Sequence, residues 1–182
     1  MEVKGTALRS MLKAIEALEG QAALDRVLGT LPADARAALE PVVLGARWYP
    51  VSIQAALHEA IRATLGRGRT DTNYRIAVRA AHDDFANGVY RVLLRVVTYD
   101  ALWDATQRLW LRYNSRGDIL FFERERGRAR GRVRDVDGYT LAMWIGVCGR
   151  LHGLLELCGA HDVWVRVEEH DTRSCTLLAS WK

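Results

Sequence analysis

Between Tyr139 and Cys158 the sequence is apolar almost all the way round a helix. Leu141, Trp144, Ile145, Cys148, Leu151 and Leu155 recur at the three-and-four spacing of one buried stripe, and Met143, Val147 and Leu154 widen it. Such a helix belongs inside, and it predicts the largest block of core in the chain. Ala142, Gly146, Gly149 and Gly153 form a second stripe at the same spacing, made only of small residues. A glycine inside a helix costs roughly 1 kcal/mol relative to alanine. Three together therefore predict that something packs closely on this face: another element of the same chain, a partner subunit or a small ligand.

Helical spacing also recurs over 6–19, 21–28, from Pro32 to Leu44, over 52–65, from Thr70 to Phe85, after Gly88, and from Thr98 to Tyr113. Ser52 reads as an N-cap, Gly66 as a stop and Trp48-Tyr49-Pro50 as a break. His58 falls off its apolar stripe and reads as solvated. His82, Asp83 and Asp84 also read as solvated charge, because adjacent helical residues point about 100° apart and cannot converge on one ion.

From Asp118 the period changes to two, which predicts a hairpin of 118–125 and 128–136. With Arg126-Gly127 as its loop, Glu125 faces Arg128 and Glu123 faces Arg130, while Leu120 and Phe122 turn inward with Gly131 and Val133. A second hairpin follows the apolar helix: Val163, Val165 and Val167 alternate with Trp164, Arg166 and Glu168, and after a turn at 171–174 a strand runs from Cys175 to Trp181. Helices followed by strand-strand-helix-strand-strand predict an α+β fold, with an N-terminal helical layer packed on a small antiparallel sheet. No linker or repeat divides the 182 residues, so a single domain is expected, mainly helical over 1–113 and formed over 118–182 by two hairpins bridged by the helix 139–158.

Candidate sites are few. Trp144 and Cys148, one turn apart, with Arg150 beside the glycine stripe, offer an apolar wall with a polar anchor for a ligand. Arg128, Arg130, Arg132 and Arg134 share one strand face and are the candidate anion-binding row, although two of them have glutamates opposite. Of 26 basic side chains only Lys4, Lys13 and Lys182 are lysines, an arginine bias that codon usage alone produces, so nucleic acid is not an expected partner. Cys148, Cys158 and Cys175 are odd in number and lack a C-x-x-C spacing, so neither a disulfide framework nor a metal site is signalled. No nucleophile-base arrangement, phosphate loop or carboxylate pair is legible, and no enzyme is expected. The apolar runs are far short of the roughly 18 residues of a membrane span and no signal-peptide core opens the chain, so the expected location is cytoplasmic.

The segments Val3-Lys4-Gly5-Thr6-Ala7-Leu8-Arg9-Ser10, Leu31-Pro32-Ala33-Asp34-Ala35-Arg36 and Trp48-Tyr49-Pro50, with this element order, resemble a paralogous family of myxobacterial proteins across nearly the whole chain. That resemblance brings no activity with it. More distantly, the C-terminal half is similar to the vinyl-reductase-type, haem-NO-binding and transport-particle (TRAPP) domains, which implies a fold that binds a small ligand or haem, or assembles as a dimer. The haem-binding relatives carry a Tyr-x-Ser-x-Arg motif; Tyr113-Asn114-Ser115-Arg116 has its residue types without its spacing. The vinyl-reductase-type domains carry a cysteine pair near the last hairpin; Cys175 could match one, and 168–171 supplies no other. No cofactor, haem included, is therefore expected. The expected function is a non-catalytic sensory or interaction module, homodimeric, that takes a small apolar ligand or a protein partner. A dimeric scaffold or adaptor is the alternative, and an arginine-mediated anion or nucleic-acid binder the third reading.

Overall fold

The computed structural model describes residues 1–40, 42–85 and 98–182. It opens with a strand too short to leave a pattern in the sequence: Glu2–Lys4 (β1) pairs antiparallel with Trp48–Pro50 (β2), Val3 opposite Tyr49. The segment expected only as a break is thus half of a two-stranded sheet. Gly5–Glu19 (α1), Gln21–Gly29 (α2) and Ala33–Leu39 (α3) lie between the two strands, and Val51–Thr64 (α4) and Asp71–Phe85 (α5) follow. Ser52 does not cap α4. The helix starts one residue earlier, behind Pro50 with its φ of −52°, and the Val51 N–H donates to the Met1 carbonyl at 3.1 Å.

The helix read after Gly88 lies outside the described residues. Tyr99–Tyr113 (α6) begins behind Thr98, whose Oγ1 accepts from the Ala101 N–H at 3.3 Å. Then come Asp118–Glu125 (β3), Arg128–Arg134 (β4), Leu141–Leu157 (α7), Trp164–His170 (β5) and Cys175–Ser180 (β6). The four strands form an antiparallel sheet in the order β3-β4-β6-β5, so α7 crosses from β4 to the far edge. The fold is α+β, seven helices and two antiparallel sheets among the described residues.

The first hairpin starts in the register that its charges predict, Glu125 opposite Arg128 and Glu123 opposite Arg130, but a bulge at Phe122 shifts the remainder by one residue. Ile119 and Phe121 therefore face the core, and Leu120 and Phe122 are exposed. Phe121 supplies the reason. Its ring stacks on Trp103 with centroids 4.3 Å apart and lies over Gly131, where a Cβ would come within 2.8 Å of it.

Two cores result. Leu8, Met11, Ile15, Leu57, Ile61 and Ile76 hold the N-terminal helices together, while Trp103, Phe121, Trp144, Cys148, Cys175 and Leu177 join α6 and α7 to the inner face of the sheet. Helix α7 has the sheet on one side and α5 on the other. The glycine face receives α5: a Cβ at Gly149 would strike the Tyr74 carbonyl and lie 2.8 Å from the Ala77 Cβ, and one at Gly153 would lie 2.8 Å from the Ala81 Cβ. Leu141, expected on the buried stripe, is exposed because it is the first residue of α7 and projects past the packed interface. No helix among the described residues is long and apolar enough to cross a membrane.

Candidate functional site

Helices α1, α4, α5, α6 and α7 do not close completely on one another. Between them lies a cavity of about 120 Å³, walled mostly by apolar side chains such as Met11, Ala77, Phe85, Leu109, Met143 and Val147. An apolar cavity of about 150 Å³ holds benzene, so a space of about 120 Å³ suits a molecule somewhat smaller than one ring.

Arg150 enters this wall from α7. Its Nη1 donates to Asp84 Oδ2 at 2.7 Å, and Ser10 Oγ donates to the other Asp84 oxygen. The guanidinium also reaches the Ala7 carbonyl at 3.5 Å and stands 5.4 Å from the Tyr113 ring centre. One side chain thus ties α7 to α1, α5 and α6. Asp84, read from the sequence as solvated charge, is the partner that holds it; adjacency along the helix had said nothing of α7.

His58 is the other correction. It is 2 % exposed, and its ring fills the notch left by Gly146. Nδ1 faces the Asn73 amide nitrogen at 3.3 Å, and the same Asn73 amide donates to the His58 backbone carbonyl at 2.8 Å. Burial first, and the Arg150 charge second, hold its pKa down at about 4. Elsewhere in the wall Tyr139 Oη donates to Asn114 Oδ1 at 2.9 Å, and Asn114 Nδ2 to the Trp110 carbonyl at 3.2 Å. Gln54, one turn before His58 on α4, lines the cavity, and its Oε1 is buried without a hydrogen-bond partner and without a surface on that space.

The structure separates the sequence-derived candidates. Arg150 lines the cavity, whereas Trp144 and Cys148 do not and are packed in the core that α7 shares with the sheet. Trp144 Nε1 donates to the Asp171 carbonyl at 2.8 Å. Cys148 lies by Cys175, and burial pushes both thiols up, Cys175 to about 12. Gly146 belongs to the cavity wall, Gly149 and Gly153 lie under α5, and Ala142 is buried. Arg128, Arg130, Arg132 and Arg134 point from the outer face of the sheet. There Arg130 bridges Glu123 at 2.9 Å and Glu168 at 2.7 Å, Arg134 pairs with Asp118 at 2.7 Å, and Arg132 Nε donates to Thr176 Oγ1 at 3.3 Å. Sequence reasoning missed Gln54 and His58, although their spacing of four places them on one helical face.

No protein-family model matches the sequence, and no curated protein matches it. The fold does match. An Fe(II) unliganded H-NOX protein from K. algicida superposes with a TM-score of 0.69 at 11% identity, over 98% of this chain and 96% of that one. An oxygen-binding H-NOX domain related to soluble guanylate cyclases, in its oxygen complex, gives 0.67 at 10% identity over 98% and 95%. A variant H-NOX protein from S. oneidensis in the Fe(II) ligation state gives 0.62 at 14% identity over 98% and 96%. This chain is folded like an H-NOX domain. At these identities the likeness is one of fold.

A further match, at a TM-score of 0.66 and 9% identity over 97% of this chain and 99% of that one, is described by its haem redox potential and porphyrin distortion, so haem is the group that the fold implies. The residues present do not fit it. The cavity of about 120 Å³ is well below the roughly 300–1,000 Å³ of cofactor pockets. His58, the histidine in its wall, is 2 % exposed with Nδ1 at 3.3 Å from the Asn73 amide nitrogen, and the Nε2 atoms of His82 and His152 lie on Glu156 at 2.9 and 3.2 Å. No cysteine lines the cavity, and residues 86–97 contain neither histidine nor cysteine. Tyr113 and Asn114 line the space, but Ser115 Oγ accepts from the Glu2 N–H at 2.9 Å and Arg116 pairs with Asp137, so that set does not converge. Among the described residues no three His, Cys, Asp or Glu side chains are grouped to hold a metal ion.

Proposed function

We propose that this chain is a non-catalytic sensory module, built on the H-NOX fold, that takes a small and mostly apolar molecule in place of haem. The observation that carries this reading is the apolar cavity with Arg150 in its wall. A ligand that displaces the guanidinium disturbs the Asp84 pair and the Tyr113 contact together, which gives occupancy a route to α1, α5 and α6. Support from the fold is that its neighbours are described with Fe(II), haem and, in one case, oxygen.

The test is native mass spectrometry of the purified protein, followed by a thermal-shift screen of small apolar compounds and absorbance after haemin addition. A retained or added small molecule raises the melting temperature, since saturation at 100 times Kd adds about 2.7 kcal/mol. Arg150→Ala weakens that gain beyond its own cost in stability, and haemin leaves no stoichiometric haem band. A stoichiometric haem complex, or a broad screen without one stabilising compound, overturns the reading.

A second reading, a homodimeric scaffold, is favoured by the sheet edges. Leu120 and Phe122 on β3 are 54% and 50% exposed, and Trp164 on β5 is 43% exposed, an unusual apolar content for strands with one unpaired side. A dimer without ligand in the same mass spectrum, broken by Phe122→Asp, is the result that would select it.

A further inference from the structure

Val42 and Leu44 are the most exposed large apolar side chains among the described residues, at 86 % and 58 %. Val43 between them is buried, so the loop ahead of β2 is anchored by one side chain and turns its two neighbours outward. Hydrogen bonds fix it there: the Leu44 N–H donates to Tyr49 Oη at 3.1 Å, and the Gly45 carbonyl accepts from the N–H and the Oγ1 of Thr6 at 3.1 and 2.9 Å. Basic side chains surround this loop. The Arg9 guanidinium lies against Gly45, 3.2 Å from where a Cβ would stand, Arg47 is 5.2 Å from the Tyr49 ring centre, and Lys4 Nζ is 4.3 Å from that of Trp48. None of the three forms an ion pair among the described residues, and residues 86–97 contain no acid to supply one. Arg130 and Arg134 on the sheet, by contrast, are held by carboxylates. Glu40, the nearest acid along the loop, is paired with Arg36 at 3.7 Å, and Glu2, the one acid on β1, leaves the group with a net positive charge.

We infer that this loop docks the protein on an anionic lipid surface, with Val42 and Leu44 entering the headgroup region and Lys4, Arg9 and Arg47 meeting the phosphates. Apolar side chains that project from a surface are buried best by a fluid phase that closes around them, and unpaired cations beside them select anionic over neutral headgroups. The aliphatic stems of lysine and arginine lie in the same boundary while their charges stay at the phosphates. A nucleic acid would take the cations and leave Val42 and Leu44 in water.

The test is sedimentation of the intact protein with vesicles of phosphatidylcholine alone and of phosphatidylcholine mixed with phosphatidylglycerol, across a range of salt. The expected result is binding to the mixture that weakens as salt rises, and none to phosphatidylcholine alone. Arg9→Gln with Arg47→Gln lowers the partition coefficient about 25-fold, each cation near such a surface contributing a factor of about five. Val42→Ser with Leu44→Ser lowers it by about tenfold, and Arg128→Gln with Arg132→Gln on the sheet leaves it unchanged. Circular dichroism checks that the variants, all at surface positions, keep their fold. Wild type that stays in the supernatant with the anionic vesicles at low salt overturns the inference, as does binding that the loop variants keep or that the sheet variant loses. A dimer that depends on Leu44, without vesicle binding, overturns it too and makes the loop a contact between copies.

Discussion

On its sheet side α7 presents Trp144, Cys148 and Leu155, none of them exposed, to Cys175 and Leu177; on its other side it presents Gly146, Gly149 and Gly153 to α4 and α5. Large side chains interdigitate with the inner face of the sheet and leave little space. Glycines let backbones touch at Gly149 and Gly153, the His58 ring fills the notch at Gly146, and the cavity lies beside them, where α1, α4 and α6 complete the wall. Burial on an apolar stripe is thus weak evidence for a ligand site, since Trp144 and Cys148 are packed against neighbours and do not line the cavity.

The largest effect is expected on the filled side. Trp144→Ala should cost about 3–5 kcal/mol as a simple cavity and should leave ligand stabilisation, measured as the shift in melting temperature, proportionally intact. Loss of ligand binding with little loss of stability would put the site on the sheet side instead.

His58 gives the next effect. Its pKa falls from 6.5 to about 4 on folding, so the unfolded chain binds the extra proton between those values, and stability falls as pH drops through that window. The contribution is present above pH 6.5 and amounts to about 3 kcal/mol. Chemical denaturation of wild type and His58→Gln from pH 7 to 4 should show a shallower slope in the variant, with the carboxylates common to both cancelling in the difference. Parallel slopes would mean that His58 is solvated after all.

Gly149→Leu is expected to cost about 1–3 kcal/mol by overpacking, because a side chain there meets the Tyr74 carbonyl and Ala77. An unchanged denaturation midpoint would deny that α5 lies in the groove. The smallest effect is on the outer face of the sheet. Exchanging Arg130, Arg132 and Arg134 for Gln together should leave the melting temperature nearly unmoved, since exposed ion pairs contribute little net. A polyanion affinity that this triple variant abolishes would restore the anion-binding reading.

Much of the fold could be read from periodicity. The hairpins, α6 behind Thr98 and the central helix all show their spacing, and the glycine stripe announces a close neighbour. What could not be read is set by tertiary contact. β1 and β2, of three residues each, are shorter than any period. The Phe122 bulge exists because Phe121 finds Trp103, which lies on another element. His58 reads as solvated on α4 alone; Asn73, Ala142 and Gly146, from two other helices, bury it. Trp144 and Cys148 are plainly buried from their spacing, but a helix apolar nearly all round does not say which side meets the sheet. Gln54 shares a helical face with His58, but only the cavity makes that face a candidate.

The proposed sensor needs a space beside the glycine face of α7 that admits a small apolar molecule. Crystals of the protein under xenon pressure test it directly, because xenon enters apolar cavities of this size. A strong anomalous peak is expected among Ala77, Met143, Val147 and Leu154, with none beside Trp144 and Cys148. A peak on the sheet side, or no ordered xenon in the helical cavity, would contradict it.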